Sequence, residues 1–411
     1  MSTNYGATTY GSGIYGGRTR PPFKSGVSVI IEIYNSLGAY KQAYVTGHCD
    51  LQSVAFSHDE SGCRDFKLIF SSMKNIAKND ILKIKLFSSD QYFFAGVVRI
   101  VPIAGSTKYT FEYSGQGLNS YFIRMNVGAL LSYTNTTVGV IVSNLLDNVI
   151  TQKSPITKNV AKIDVLNIPV TSATFNYCQI SDCLDALKKI ANSDGNDYLV
   201  GVDPSGEFFF RARNSSLVAT LGVGRQGKNT IPNYEPSDEY EARTKYFVLK
   251  KDGTYWTTLS SGIAGIDIYE EKLTAPDIDD SDIDTWAAGA LFENEKNQRT
   301  AQIKWRIEPY YPQLVIADGW IRIFTAIPPH KQQLIATDFF NTGNFGSGLF
   351  GGQLSQWQIV DDTLRIVEIA YNISDKEAMR SVTLGAIYPR LEAEIVRVNK
   401  KLIDLTISLG V

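Results

Sequence analysis

The chain has 411 residues, room for two to four domains at about 150 residues each. Apolar residues make up 44%, charged residues 20% and aromatic residues 11%, so several cores can be buried. Forty Lys and Arg against 42 Asp and Glu leave a net charge of −2, which excludes a strongly basic nucleic-acid binder and an acidic solvating tail. No stretch approaches the ~18 to 20 unbroken apolar residues of a membrane span. The opening MSTNYGATTYGSGIYGG has neither a cationic start nor an apolar centre, so no secretory signal is expected, and the protein is expected to be soluble and made in the cytoplasm. Cys49, Cys63, Cys178 and Cys183 are too few to frame a chain of this length and are expected as free thiols.

Residues 1–25 are rich in Gly, Ser, Thr and Tyr and offer no aliphatic stripe, which reads as an extended arm. Tyr5, Tyr10 and Tyr15 each precede a glycine, five residues apart. YGSGIYGG at 10–17 returns as FGSGLFGG at 345–352, with Phe345 and Phe350 in the aromatic places. The repeat reads either as chance low complexity or as paired adhesive loops whose aromatics dock on a neighbouring subunit; exposed aromatics are otherwise a liability.

From Gly26 to Tyr113 the apolar period is two. Val27, Val29, Ile31 and Ile33 alternate with more polar neighbours, as do Leu82, Ile84 and Leu86, and 91–100 and 108–113 are strand-like. Short strands at this spacing predict a small antiparallel barrel or sandwich over 26–125. The period then changes. Thr136 can cap a helix with the stripe Val138, Ile141, Val142, Leu145 and Val149. Ser181 can cap another, with Cys183, Leu184, Leu187, Ile190 and Ala191 on one face and Gly195 as its stop. A hairpin follows, 198–202 and 207–211 around the turn Asp203-Pro204-Ser205-Gly206. Residues 126–239 therefore read as an α+β unit. Strands return over 240–388, at 241–249, 301–307, 315–324, 333–336 and 357–371, interrupted by a helix at 283–296. After Pro389, the residues Leu391, Ile395, Val398, Leu402, Leu405 and Leu409 form a heptad seam over 389–411. It reads as an intermolecular coiled coil or as a helix docked on its own domain, and its core residues fix neither two strands nor three. Under three heptads it is too short to stand alone, so it would extend an interface made elsewhere.

Chemistry-bearing patterns are sparse. His48, His58 and His330 are the only histidines. His48, Cys49, His58 and Cys63 can be drawn as a metal cluster, but their spacing matches no common zinc pattern; the alternative is loop and strand residues that fall close in sequence. The acidic run from Asp277 to Asp284 lacks the glycine and glutamate of a calcium loop and suits a helix start. GVGRQG at 222–227 matches a dinucleotide string without the strand-turn-helix context that gives it meaning. Carboxylate pairs such as Glu270-Glu271 are open to a glycosidase reading that sequence cannot position. No cofactor and no catalytic residue is assigned, and a structural role is expected.

Five stretches carry a family resemblance. These are NDILKIKLFSSDQYFFAGVVRI at 79–100, KYTFEYSGQGLNSYFIR at 108–124, the helix at 137–150, ISDCLDALKKIANSDGNDYLVGVDPSGEFFFR at 180–211 and LRIVEIAYNISDKEAMRSVTLG at 364–385. In this order they resemble the central hub proteins of bacteriophage tail baseplates and contractile injection machines, the gene-27-like hub family. The resemblance implies a mainly β fold: two pseudo-symmetric small β-barrel or sandwich domains, an α+β domain between them, and here a C-terminal heptad helix that departs from the family. It implies a homotrimeric ring in the virion that adapts a six-fold tail tube, or a distal tail ring protein, to a three-fold central spike or fibre. The tape measure protein is a further candidate partner, and passing DNA makes transient contact with the channel. Two other readings are kept: a tail-associated cell-wall or polysaccharide hydrolase, and a receptor-binding fibre base acting through the aromatic-glycine loops. The hub reading requires separate, superimposable modules at 26–113 and 240–386, and one continuous sheet through both would contradict it.

Overall fold

The structure is a computed structural model that describes residues 26–46, 50–87, 89–103, 109–193, 195–223, 230–231, 234, 236–239, 245–249, 254–260, 270–274, 280–294, 298–307, 317–327, 358–374 and 377–385. The expected strand at 333–336 and the glycine string beyond Val223 lie outside them.

Seven antiparallel strands build the first β region: β1 (Val29–Tyr34), β2 (Tyr40–Val45), β3 (Leu51–Asp59), β4 (Gly62–Phe70), β5 (Ile81–Leu86), β6 (Tyr92–Ile100) and β7 (Phe111–Gly117). They lie in the order β2-β1-β5-β6-β7-β4-β3. The period of two does what it predicts in β1, where Val29, Ile31 and Ile33 are fully buried. β6 is buried on both faces: Phe94 and Val98 enter this region's core, while Ala95 and Val97 enter the core of the α+β unit. That double burial explains its continuous apolar run.

The α+β unit follows, with α1 (Ser120–Arg124), β8 (Leu130–Thr137), α2 (Val138–Leu145), α3 (Thr151–Lys153), β9 (Pro169–Asn176), α4 (Ile180–Asn192), β10 (Tyr198–Val202) and β11 (Phe208–Ala212). Thr137, not Thr136, caps α2, its side chain accepting from the Val140 N–H at 3.4 Å. α4 starts one residue before Ser181, with Gln179 at the cap position and no side-chain cap bond. Its apolar stripe is buried as its spacing predicts, and Gly195 ends the segment with φ of +87°. The β10–β11 turn closes through the Gly206 N–H donating to the Asp203 carbonyl at 2.9 Å, with Gly206 at φ +91°.

The remaining elements are β12 (Leu217–Val223), β13 (Thr230–Ile231), β14 (Pro236–Glu239), β15 (Lys245–Leu249), β16 (Tyr255–Ser260), β17 (Glu270–Thr274), α5 (Ile283–Asn294), β18 (Gln298–Arg306), β19 (Trp320–Ile327), β20 (Gln358–Ser374) and β21 (Ala378–Gly385). The acidic run does precede a helix. Within it Asp282 is buried and its carboxylate accepts from the Ser172 N–H at 2.7 Å.

One feature corrects the sequence reading. The two β regions do not form separate sheets: one hydrogen-bonded sheet runs through both. The cause is β20, which at 17 residues is long enough to serve two neighbours along one edge. Arg365 faces Trp320 of β19 on one side and Gly385 of β21 on the other. Four residues on, Ile369 faces Val382 of β21 and His58 of β3. β19 and β3 therefore share one edge of β20 in succession, while β21 holds the opposite edge. A common apolar core with Phe56, Phe66 and Phe94 from the first region and Trp305, Ile323 and Tyr371 from the second lies on this sheet. Packing also crosses the expected boundary at 239/240. β12 pairs in parallel with β19 of the second β region. In the other direction, Val248, Ile283, Trp286 and Ala287 pack into the core of the α+β unit. The fold is mainly β with few helices.

Candidate functional site

The residues singled out by sequence lie mostly beyond view. Leu391, Ile395, Val398, Leu402, Leu405, Leu409, Tyr5, Tyr10, Tyr15, Phe345, Phe350, His48 and Cys49 are outside the described residues. His58 and Cys63 face each other across β3 and β4. His58 is fully buried, ringed by Phe56, Phe94 and Tyr371 at centroid distances of 5.7, 5.9 and 6.3 Å. Burial pulls its pKa down to about 3, against a weaker opposing pull from the Phe93 backbone. It is a neutral core imidazole. The Cys63 thiol is pushed up by burial, and its Sγ accepts from the Ala95 N–H at 3.3 Å. Among the described residues no three His, Cys, Asp or Glu side chains gather as a metal set.

What the fold does assemble is a charged cluster where all three regions meet. Glu60 sits between β3 and β4, Asp197 just before β10, Arg213 just after β11 and Arg365 within β20. Arg213 donates through Nε to Asp197 at 2.6 Å and reaches Glu60 at 2.8 Å. Arg365 lies 3.3 Å from Asp197 and 3.7 Å from Glu60. Two cations thus share two anions. Burial alone would raise the Asp197 carboxyl, but Arg213 and Arg365 outweigh it and hold the group below the usual carboxylate range. Burial opposes the charge on Arg213 as well, and Glu60 and Asp197 more than restore it. A second pair extends the cluster: Arg211 donates to Asp318 at 2.9 Å, whose other oxygen accepts from the Asn214 and Gly319 N–H groups at 2.9 and 2.8 Å.

Close backbone approach fixes these charges in place. A Cβ on Gly201 would lie 1.8 Å from the Ser61 carbonyl oxygen, and one on Gly62 would lie 2.0 Å from that of Val202. Only glycine lets the β10–β11 hairpin rest directly on the tip of β3 and β4. The cluster had no sequence signal: Glu60, Asp197, Arg213 and Arg365 belong to no motif, and only the fold brings them together.

Two further hollows are lined by described residues. One of about 480 Å³ lies along the β3–β20 junction and is lined by Phe56, Phe66, Lys67, Lys304, Tyr371 and Met379, among others. The other, about 240 Å³, includes Tyr92, Lys162, Asp203, Ser205 and Arg211. Here Lys162 bridges the carboxylates of Asp203 and Glu207. Lys162 and Asn159 hold Glu207 below its ordinary pKa, the reverse of what a general acid for sugar cleavage needs. Glu270, from the pair open to the same reading, is salt-bridged to Lys245 at 3.0 Å. The arrangement is built to hold segments together by charge.

No family model matches the chain, and no curated protein matches its sequence. Solved structures do match. A tail protein from Neisseria meningitidis MC58 aligns with a TM-score of 0.58 at 10% identity, over 87% of this chain and 96% of its own. The 43 kDa tail protein of prophage MuSo2 from Shewanella oneidensis gives 0.57 at 10% identity, over 87% and 98%. The prophage tail protein gp18 from Listeria monocytogenes EGD-e gives 0.50 at 11% identity, over 90% and 99%. This chain shares its fold with these three tail proteins.

Proposed function

We propose that this chain is a structural component of a phage tail tip or baseplate. In this reading it forms a homotrimeric hub ring between a six-fold tail tube and a three-fold central spike or fibre, with a central channel for DNA. The observation that carries the reading is the likeness to three tail proteins over nearly their whole length. The ionic cluster supports it, because a load-transmitting adaptor needs its regions fixed to one another. The near-neutral net charge of −2 suits a channel that neither grips nor strongly repels DNA. The heptad seam from Leu391 to Leu409 lies outside the described residues; as an intermolecular coiled coil it would extend the ring interface toward the spike.

The continuous sheet removes the two separate modules that the sequence-based hub reading requires, so the tail-component reading rests on the shared fold, and the six-fold match is the part that stands to be tested. Three copies can no longer be read as six independent modules. Any match to a six-fold partner must come from similar outer surfaces on one continuous sheet. The test is mass in solution by light scattering, with class averages by electron microscopy. A ring of three chains with a six-fold repeat on one face is expected. A monomer, or a trimer with no such repeat, would overturn the adaptor.

A further inference from the structure

Cys178 and Cys183 flank the start of α4, and their sulfurs lie 2.8 Å apart. Both are free thiols, Cys178 half-buried and Cys183 buried. The separation is roughly 0.8 Å more than a disulfide bond, closer than two sulfurs in ordinary contact.

The backbone holds them there. Tyr177, at the end of β9, takes a φ of +51°, a conformation that bulky side chains rarely adopt. It turns the chain so that Cys178 folds back over the first turn of α4. The Cys178 carbonyl then accepts from the Val127 N–H at 3.0 Å, and the Cys183 N–H donates to the Gln179 carbonyl at 3.2 Å. Both ends of the six-residue loop are pinned before any bond forms, so little further ordering is required to close it. An isolated buried thiol would give no such geometry, and Cys63, with Ala95 as its partner, shows the contrast.

We propose that Cys178 and Cys183 form a disulfide when the protein leaves a reducing compartment, making this turn a site of oxidative cross-linking. The oxidant is a small-molecule disulfide such as oxidised glutathione. The Cys178 thiolate attacks one sulfur of that disulfide and releases one thiol, giving a mixed disulfide. Cys183 then loses its proton and attacks the Cys178 sulfur, releasing the second thiol. Two protein thiols are oxidised, and one external disulfide is reduced to two thiols. The half-buried Cys178 is the sulfur the oxidant meets first. Burial pushes the Cys183 thiol up, so it enters the second step protonated. The bond would lock the turn at Tyr177 and anchor the start of α4.

The full chain is equilibrated in a glutathione buffer poised as outside the cell, alkylated, digested with trypsin and weighed by mass spectrometry. Trypsin releases residues 163–188 as one peptide containing both cysteines. The expected result is that this peptide takes no alkyl group and lies two mass units below its reduced form, and that titratable thiols fall from four to two. After reduction it takes two alkyl groups. Cys183→Ser should instead leave Cys178 as a stable mixed disulfide or a free thiol. Double alkylation of the peptide from oxidised, folded wild-type protein would overturn the proposal. So would a persistent glutathione adduct on Cys178 or a cross-link to Cys49 or Cys63.

Discussion

Arg213 is the residue on which the junction depends. Its side chain is 4% exposed and touches acids from two different regions. Replacing it with alanine leaves Asp197 and Glu60 facing each other with only Arg365 between them. Removing one member of a buried ionic group costs about 3 kcal/mol. Arg213→Ala should therefore lower the urea midpoint markedly; a change within a few tenths of a kcal/mol would mean that the cluster is decoration. His58 makes a different prediction, in pH. Its folded pKa of about 3 lies below the ordinary ~6.5, so below pH ~6.5 the unfolded chain takes up a proton that the folded chain refuses. The stability that the neutral ring contributes is present above pH ~6.5 and is lost progressively down to about 3, with about 2 kcal/mol gone by pH 5. His58→Phe, which keeps a ring among Phe56, Phe94 and Tyr371, should remove that part of the slope between pH 7 and 5. Parallel slopes for the two proteins would show that His58 does protonate in the fold.

At the scale of elements, α4 and α5 meet through a glycine. A Cβ on Gly289 would lie 1.8 Å from the Lys189 carbonyl oxygen. Gly289→Ala must push the helices apart, at a cost of about 2 kcal/mol from overpacking, even though alanine is the better helix former. Thermal unfolding should show the drop; a rise in midpoint would mean that α5 shifts freely. This contact also shows what the sequence could and could not reveal. The stripe Cys183, Leu184, Leu187, Ile190 and Ala191 announces α4 because one face is buried and the other is wet. α5 was legible as a helix at 283–296 behind its acidic run although it has no such stripe: Trp286 and Ala287 join the α+β core while Ala290 and Leu291 pack with Tyr246, so its apolar residues spread around it. β1 and β5 were legible from alternation. β8 and β9 were not, because they form a two-stranded sheet whose polar residues break the pattern. Clearest of all, nothing local in Ile369 to Ser374 says that it pairs with Ser53 to His58. Apolar period reports which face is buried, never which distant edge covers it.

For the whole molecule, the pairing of β3 with β20 makes the two β regions one mechanical object. Both strands are interior to the sheet, and the core on it draws on both regions. Opening either region alone would strip hydrogen bonds from β3 or β20 and expose Phe56 and Tyr371, which stack with ring centroids 4.7 Å apart. Cooperative units in proteins follow such shared burial. Hydrogen exchange by mass spectrometry should therefore find peptides covering 53–58 and 369–374 exchanging with the same opening free energy and the same response to denaturant. If 369–374 opens at much lower denaturant than 53–58, the sheet is continuous in geometry but divided in energy. The two regions could then rotate against each other, as an opening channel would require. Matched exchange fits the opposite design. If the proposed hub role holds, its body would then stay rigid and any gate would lie between copies of the chain.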